Sequence, residues 1–478
     1  MPFADGNSGL EQLMFQMKSY KNLTKSTIEV LPSSGQTNYR PNQKVIFTLP
    51  YASLISLEDI ALHFTFTPTD LTTVSSAHDS KTKCIEKLVA PKDAASLIAE
   101  IDIKVNGQTV QHLTRYNDIV NLLNFFEEPK TKNMALQNCY DTDDIWTTVR
   151  TQNTGDGTWS PGSKTIADAT GDNIKAQHFI VNKWYGLLGH RGKEVSSNFI
   201  DTNMLGEVTI AFTLASSAVC PSILQTEAEA TVAGGPVTGL TTDEYNNAIK
   251  ARRSSYELSG INLSMVRYNL PTGYSEALAS NLSGGAKYQI AFNHYEIHAQ
   301  NSNKANGTIR WNENSRDIKG LLAFFTNNNR EQTHASEYET VINTSKYFLY
   351  NNEIHNNSQF QIGSVKMPQN VLTNYKNFLE IMRAVPGNNV ECDSSIKTVE
   401  DFNSRKFMSL LSLEMSEGVS TETKLLSGLS SEQLPIACSY TYNNDNLSGY
   451  NWDKSVNVMS LTTRMLVIQN GQNVYVEI

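Results

Sequence analysis

The sequence predicts an all-β protein built from two tandem β-sandwich domains, and three observations carry that expectation. Apolar and polar residues alternate over many short stretches. Turn dipeptides and prolines bound those stretches. One order of elements runs through both halves of the chain: strands, a hairpin, a single helix, long polar loops, then more strands. The repeat lies in the order of elements, not in residue identity. Few helices among many short strands point to Greek-key or jelly-roll wiring.

A length of 478 residues suits two large β-domains. Charged residues make up 18% of the chain, against roughly 25% in ordinary soluble proteins. The polarity comes instead from Asn, Ser, Thr and Gln, which suit strands and ordered loops better than charged surface helices.

In chain order, Leu10, Leu13, Met14 and Met17 fall at i, i+3, i+4 and i+7, one apolar stripe on a short N-terminal helix that Asn7 or Ser8 could cap. Val45, Phe47 and Leu49 alternate up to Pro50, and Ile60, Leu62, Phe64 and Phe66 up to Pro68, giving two strands with one buried face each. Ile101, Ile103 and Val105 lead into Asn106-Gly107 and then Val110, the strongest short hairpin signal in the chain. Thr114 can cap the next helix, which carries Ile119, Val120, Leu122, Leu123 and Phe126. Residues 129–200 lack clear periodicity and are too long for a plain loop, so short strands and an excursion from the scaffold are expected there. Val208, Ile210, Phe212 and Leu214 form a clean strand; 224–253 reads as a second long loop.

Tyr256 to Leu270 is strand-like. Pro271-Thr272-Gly273 breaks it, a short helix carries Tyr274, Ala277, Leu278 and Leu282, and Tyr288, Ile290 and Phe292 restart the strand pattern. The domains are therefore expected as an N-terminal helix or arm (1–21), a first β-domain with long loops (22–270), a helical connector (271–285) and a second β-domain (286–478). In the second, strands are expected over Ile318–Phe325, over 341–354 around an Asn351-Asn352 turn, over 359–366 ending at Met367-Pro368, and over Phe407–Leu413. A helix carries Val371, Leu372, Tyr375, Phe378, Leu379 and Met382, and a hairpin through Asn470-Gly471 closes the chain. Each half is expected to hold one helix of three or four turns.

A net charge of −9 argues against wrapping nucleic acid, which needs clustered Lys and Arg. The one compact basic run, Lys250-Ala251-Arg252-Arg253, reads as a solvated loop more readily than as a phosphate contact. Five scattered cysteines without CxxC spacing argue against a disulfide framework or a zinc ribbon and suit folding in a reducing compartment. The N-terminus has no basic and apolar leader, and no apolar run reaches the length of a membrane span.

Catalytic signatures are missing: no P-loop, no dinucleotide fingerprint, no HExxH and no GxSxG. His294 and His298 would share a metal on a helix. The flanking pattern is a strand, where residues four apart lie about 13 Å from each other. Glu127 and Glu128, or Asp141, Asp143 and Asp144, could mimic an acid/base pair or a calcium loop, but read better as solvated loop charges. The chain is thus read as a non-enzyme with no catalytic residues, no cofactor and no metal. The N-terminal stripe Leu10, Leu13, Met14 and Met17 is the candidate assembly contact, either docking on a neighbour, a membrane or another, minor protein, or folded onto its own base.

Several stretches carry a resemblance. They are Val45–Pro50 with Ser53–Leu57, Ile101–Gly107 with the helix after it, Met204–Ile210, Tyr256–Leu263 with the helix near Ala277, Leu425–Leu429, and Arg464–Val474. In their order the chain resembles the double jelly-roll major capsid proteins of adenovirus-like, virophage-like and polinton-like double-stranded DNA viruses and of tailless membrane-containing phages. The resemblance implies two tandem eight-stranded jelly rolls with short inserted helices. It implies a major capsid protein that assembles as a pseudo-hexagonal homotrimeric capsomer tiling the faces of an icosahedral shell. Implied partners are its own copies, neighbouring capsomers, penton and minor or cement proteins, with an internal membrane as a further candidate and no sequence-specific nucleic acid. The implied location is the virion capsid, after folding and assembly inside the host cell. The competing class is a receptor- or glycan-binding β-sandwich protein such as a spike or adhesin. A glycan-degrading β-sandwich enzyme is a third, and would need two carboxylates facing one cleft.

Overall fold

A computed structural model describes residues 24–88, 94–124, 177–189, 199–226, 255–269, 287–331, 347–384, 407–413, 436–443 and 454–477, with breaks of up to seven residues inside some ranges, and Ser280, Phe402 and Leu429 besides. The expected N-terminal helix, the connector helix apart from the helical residue Ser280, most of 129–200 and the loop after Thr226 lie outside the described residues.

The strands of the first half are β1 (Thr24–Val30), β2 (Asn38–Tyr39), β3 (Lys44–Thr48), β4 (Leu54–Ser56), β5 (Ala61–Thr69), β6 (Thr73–Ser75), β7 (Lys83–Leu88), β8 (Ile98–Val105), β9 (Gln108–Leu113), β10 (Gln177–Val181), β11 (Phe199–Asp201), β12 (Val208–Leu214), β13 (Ser222–Thr226) and β14 (Ser255–Asn269). Helix α1 (Tyr116–Leu123) follows β9, and the single turn α2 (Thr202–Leu205) follows β11. The second half has β15 (Lys287–Ser302), β16 (Gly307–Glu313), β17 (Ile318–Asn327), β18 (Asn357–Ile362), β19 (Val365–Thr373), helix α3 (Asn374–Ala384), β20 (Met408–Ser412), β21 (Ile436–Asn443), β22 (Lys454–Gln469) and β23 (Asn473–Glu477).

These strands pair antiparallel in five sheets. In the first half, β10-β5-β14-β4-β11 with β1 and β2 faces β3-β12-β8-β9, and β13-β7-β6 forms a small third sheet. In the second, β15-β22-β17-β20 with β23 faces β16-β21-β18-β19. Among the described residues, no pair joins a strand before residue 270 to one after 286.

Alternation explains the cores. Val208, Ile210, Phe212 and Leu214 on β12 are buried, and Phe212 meets Phe47 of β3 edge to face at 5.9 Å. Trp184 stacks on Phe212 at 5.4 Å, and its indole N–H donates to the Ile60 carbonyl at 2.8 Å, linking the two sheets. Each such fully buried side chain contributes about 1.5–3 kcal/mol relative to exposure. On β14 the buried set changes parity, from Tyr256 and Leu258 to Ile261, Leu263 and Met265. Gly260, with φ of 60°, sits at the register shift between Ser259 and Asn262, and this bulge keeps both apolar sets facing inward. The Asn106-Gly107 hairpin forms as expected, both residues having positive φ (51° and 80°), as a primed turn requires.

Some expectations are corrected. Strand β5 does not stop at Pro68 but continues to Thr69, with Pro68 opposite Tyr256 of β14; among the described residues β10 pairs with β5 up to Phe66, so no described ladder bond is broken by the missing proline N–H on that side. A second-half hairpin turns at Gly363 between β18 and β19; Asn351-Asn352 lies outside the described residues, and of 341–354 the described residues show a turn at Tyr347-Phe348 and a bridge residue at Tyr350. Pro368 lies within β19, an edge strand, at a register irregularity. Val371 and Leu372 belong to that strand, and α3 starts at Asn374. Helix α1 has eight residues, about two turns and not three or four. Thr114 does not cap it: Arg115 holds the cap position with a left-handed backbone.

Candidate functional site: a charged joint between the two halves

Helix α1 leaves the first half's hairpin and is buried from Tyr116 to Leu122, polar residues included. A short helix with Asn117, Asp118 and Asn121 all inside must find partners for them, because an unpaired buried polar group costs about 1–3 kcal/mol. Asn121 turns back within the first half, donating to Ser96 Oγ at 3.1 Å and to the Asn117 carbonyl at 2.7 Å. Asn117 crosses to the second half, donating to the Tyr347 hydroxyl at 3.2 Å.

Asp118 is the centre. Arg115 donates from Nε to its Oδ2 at 2.8 Å, Arg330 from Nη1 to Oδ1 at 3.0 Å, and the Tyr350 hydroxyl to Oδ1 at 2.9 Å. The carboxylate side chain has no exposure. Burial alone would push its pKa up, but the Arg330 and Arg115 guanidiniums and the Tyr350 hydrogen bond outweigh it and hold the group below the usual carboxylate range. In return, although burial disfavours its charge, Arg330 is held protonated more firmly by Asp118. The Tyr347 hydroxyl is pushed up to about 12, chiefly by burial, and stays neutral.

The two arginines extend the joint. Arg115 donates to Asn457 Oδ1 on β22 and lies over the Phe324 ring at 5.6 Å. Arg330 lies over the Tyr347 ring at 4.3 Å. Asn457 is itself fixed, donating to Thr326 Oγ1 and the Ser455 carbonyl, both at 3.0 Å. Arg115 adopts φ of 53°, a conformation that costs a non-glycine residue about 1–3 kcal/mol. It turns the chain from β9 directly into α1 while aiming the guanidinium across the seam.

A second set of contacts continues the seam. Gln111 of β9 donates to the Asn293 carbonyl of β15 at 3.1 Å and accepts from the Leu187 N–H at 2.7 Å. The Tyr185 and Tyr295 rings meet edge to face at 6.2 Å. Ser216 donates to Glu331 Oε2 at 2.6 Å. With both carboxylate oxygens engaged and shut away from solvent, Asp118 is built to hold an orientation and is not placed to exchange protons with a substrate.

The residues singled out in the sequence fall elsewhere. Leu10, Leu13, Met14 and Met17 lie outside the described residues, as do Glu127, Glu128, Asp141, Asp143, Asp144 and the basic run 250–253. His294 and His298 both lie on strand β15. His298 bonds Glu313 Oε1 at 3.2 Å and stacks on Trp311. The joint was missed: only Arg115 and Asp118, three apart on a helix, were there to be noticed as a pair.

No family model and no curated protein matches the sequence. Solved structures do match the fold, over nearly the whole chain. PBCV-1 VP54, fitted into a reconstruction of the virophage Sputnik, is 12% identical with a TM-score of 0.54, covering 96% of this chain and 97% of its own. A chain of the Sputnik virophage structure is 11% identical at 0.55, covering 96% and 89%. The Faustovirus major capsid protein is 10% identical at 0.54, covering 95% and 91%. The chain has their fold, the double jelly roll.

Proposed function

We propose that the chain is a major capsid protein that self-assembles as a pseudo-hexagonal homotrimeric capsomer forming the faces of an icosahedral virus shell. One observation carries the reading: the double jelly-roll fold matches, over 95–96% of the chain, structures that include a major capsid protein and a virophage particle. The rolls are assigned to 22–270 and 286–478, with 271–285 as connector. A wall plate must transmit load between its two rolls without hinging, and the Asp118 joint supplies that coupling. The exposed large apolar side chains among the described residues support self-association. They fall in two segments, Leu31, Ile46 and Tyr51 in one half and Val365, Val371, Tyr375 and Leu379 in the other. A chain with a different patch on each half can contact copies of itself head to tail and close a ring.

The partners that follow are further copies, neighbouring capsomers, and penton and minor proteins, within the virion capsid. The N-terminal stripe Leu10, Leu13, Met14 and Met17 is assigned to contacts made in shell assembly. Native mass spectrometry with negative-stain imaging of the purified chain tests the reading. A stable trimer with a six-cornered outline is expected; a monomer that binds glycans overturns it in favour of a spike or adhesin. In the same assay Leu13→Asp with Met17→Asp leaves trimers intact and impairs shell assembly. Normal shells from that variant would remove the stripe from the contacts.

A further inference from the structure

Strand β15 has two faces with different duties around residue 294. Tyr295 packs on Tyr185 of the first half, and the Asn293 carbonyl takes the Gln111 hydrogen bond, so this stretch is part of the seam. Ile290, Phe292 and His298 point the other way, into the second roll: Ile290 and Phe292 are buried, and His298 stacks on Trp311 of the opposing sheet. His294 shares that inner face and is only 4% exposed. Its Nδ1 has no hydrogen-bond partner among the described residues. The two seam residues Asn293 and Tyr295 are its immediate neighbours in the chain.

The charged groups around His294 do not favour a second cation. Arg464 stands diagonally across the β15–β22 ladder, opposite Phe292 and so on the same face. Its pairing with Glu296 is loose, at 3.9 Å, and its own Nε has no hydrogen-bond partner among the described residues. Glu313 of β16 is occupied by His298 and by the Trp311 indole at 3.1 Å. From the first half, His112 of β9 adds positive charge when protonated, beside its partner Asp102. Lys319 of β17 donates to the Asn293 side chain at 3.0 Å.

We propose that His294 is an acid-operated release for the seam, proton uptake by its imidazole unseating residues 293–295 from the first half. Burial first, then Arg464 and His112, depress the imidazole in the closed state to about 3 from an ordinary 6.5. Between those values the opened state binds more protons than the closed one. Closed-state stability is therefore complete above about pH 6.5 and falls as pH drops, by up to about tenfold in the closed-to-open ratio per pH unit. Asp118 acts lower, since it is held charged below its ordinary 3.8.

Hydrogen exchange of the full chain at pH 7.0, 5.5 and 4.5, corrected for intrinsic rates, tests this. Peptides covering 289–297 and 108–113 should lose protection by about tenfold per pH unit below 6. Those covering β12 and β17 should lose less. His294→Gln should flatten the pH dependence at the seam, and His112→Gln should leave most of it. The proposal fails if wild-type seam peptides keep their protection to pH 4.5, if His294→Gln keeps the wild-type slope, or if His112→Gln alone abolishes it. Should His294→Gln not fold, the wild-type profile decides by itself.

Discussion

Helices α1 and α3 hold the same place in their rolls, each directly after a hairpin, and have opposite fates. Helix α1 is buried on every side and spends its polar residues on the other half of the chain. Helix α3 is anchored by one face only. Asn377 there accepts from Ser409 Oγ at 2.8 Å, and Phe378 meets Phe402 at 5.5 Å. Tyr375 and Leu379, one turn apart on its other side, are 73% and 46% exposed. In a tandem arrangement the two rolls do not see the same neighbours. The helix that meets its sister roll became a charged, closed joint, and the one that does not keeps an apolar face outward.

If that contrast is right, the largest single effect on stability lies in α1. Asp118→Ala leaves two guanidiniums buried together with no counter-charge. Removing one partner from a buried ionic cluster costs about 3–5 kcal/mol, far above an exposed pair. Urea unfolding of the variant should show that loss in midpoint. A loss under 1 kcal/mol would mean that Arg115 and Arg330 reach water easily and that the joint is not closed. Tyr350→Phe is milder, because it removes one neutral donor to the carboxylate and leaves both arginines in place. About 1.5–3 kcal/mol is expected from the same measurement, the range for a hydrogen bond to a charged group.

The contrast between the helices was partly legible in the sequence. The strands that alternate cleanly, such as Val45-Phe47 or Val208-Ile210-Phe212-Leu214, could be read because one face is apolar core and the other is not. The first two-thirds of β22 could not. There Asn457, Ser460, Thr462 and Thr463 are as buried as Val456 and Val458, because this strand is covered on both faces, and no period survives. Cys438, Tyr440 and Tyr442 on β21 alternate with exposed or half-buried neighbours, a period the sequence does carry. The joint was out of reach for a different reason. Arg330 and Tyr350 lie more than 200 residues from Asp118, and only the packing of one roll on the other brings them together. Proline terminates neither strand at Pro68 or Pro368, since an unpaired strand side tolerates it.

The smallest expected effect on the fold is the most telling for function. Tyr375→Asp with Leu379→Asp places two carboxylates on the exposed side of α3, where neither original side chain is part of the core. Surface substitutions away from packed or paired groups shift stability by about 0.5 kcal/mol or less, so unfolding of the isolated chain should be nearly unchanged. Association should not be. If this face meets another copy, desolvating two added carboxylates in an apolar contact costs several kcal/mol, and a concentration series by sedimentation should show the oligomer lost at protein levels where the wild type is fully assembled. The matching change on the other half, Ile46→Asp on the edge strand β3, should weaken association in the same way if the two patches meet each other. If Ile46→Asp weakens it and the α3 variant does not, the outward face of α3 is not used between copies, and the two helices differ only in what happens to cover them.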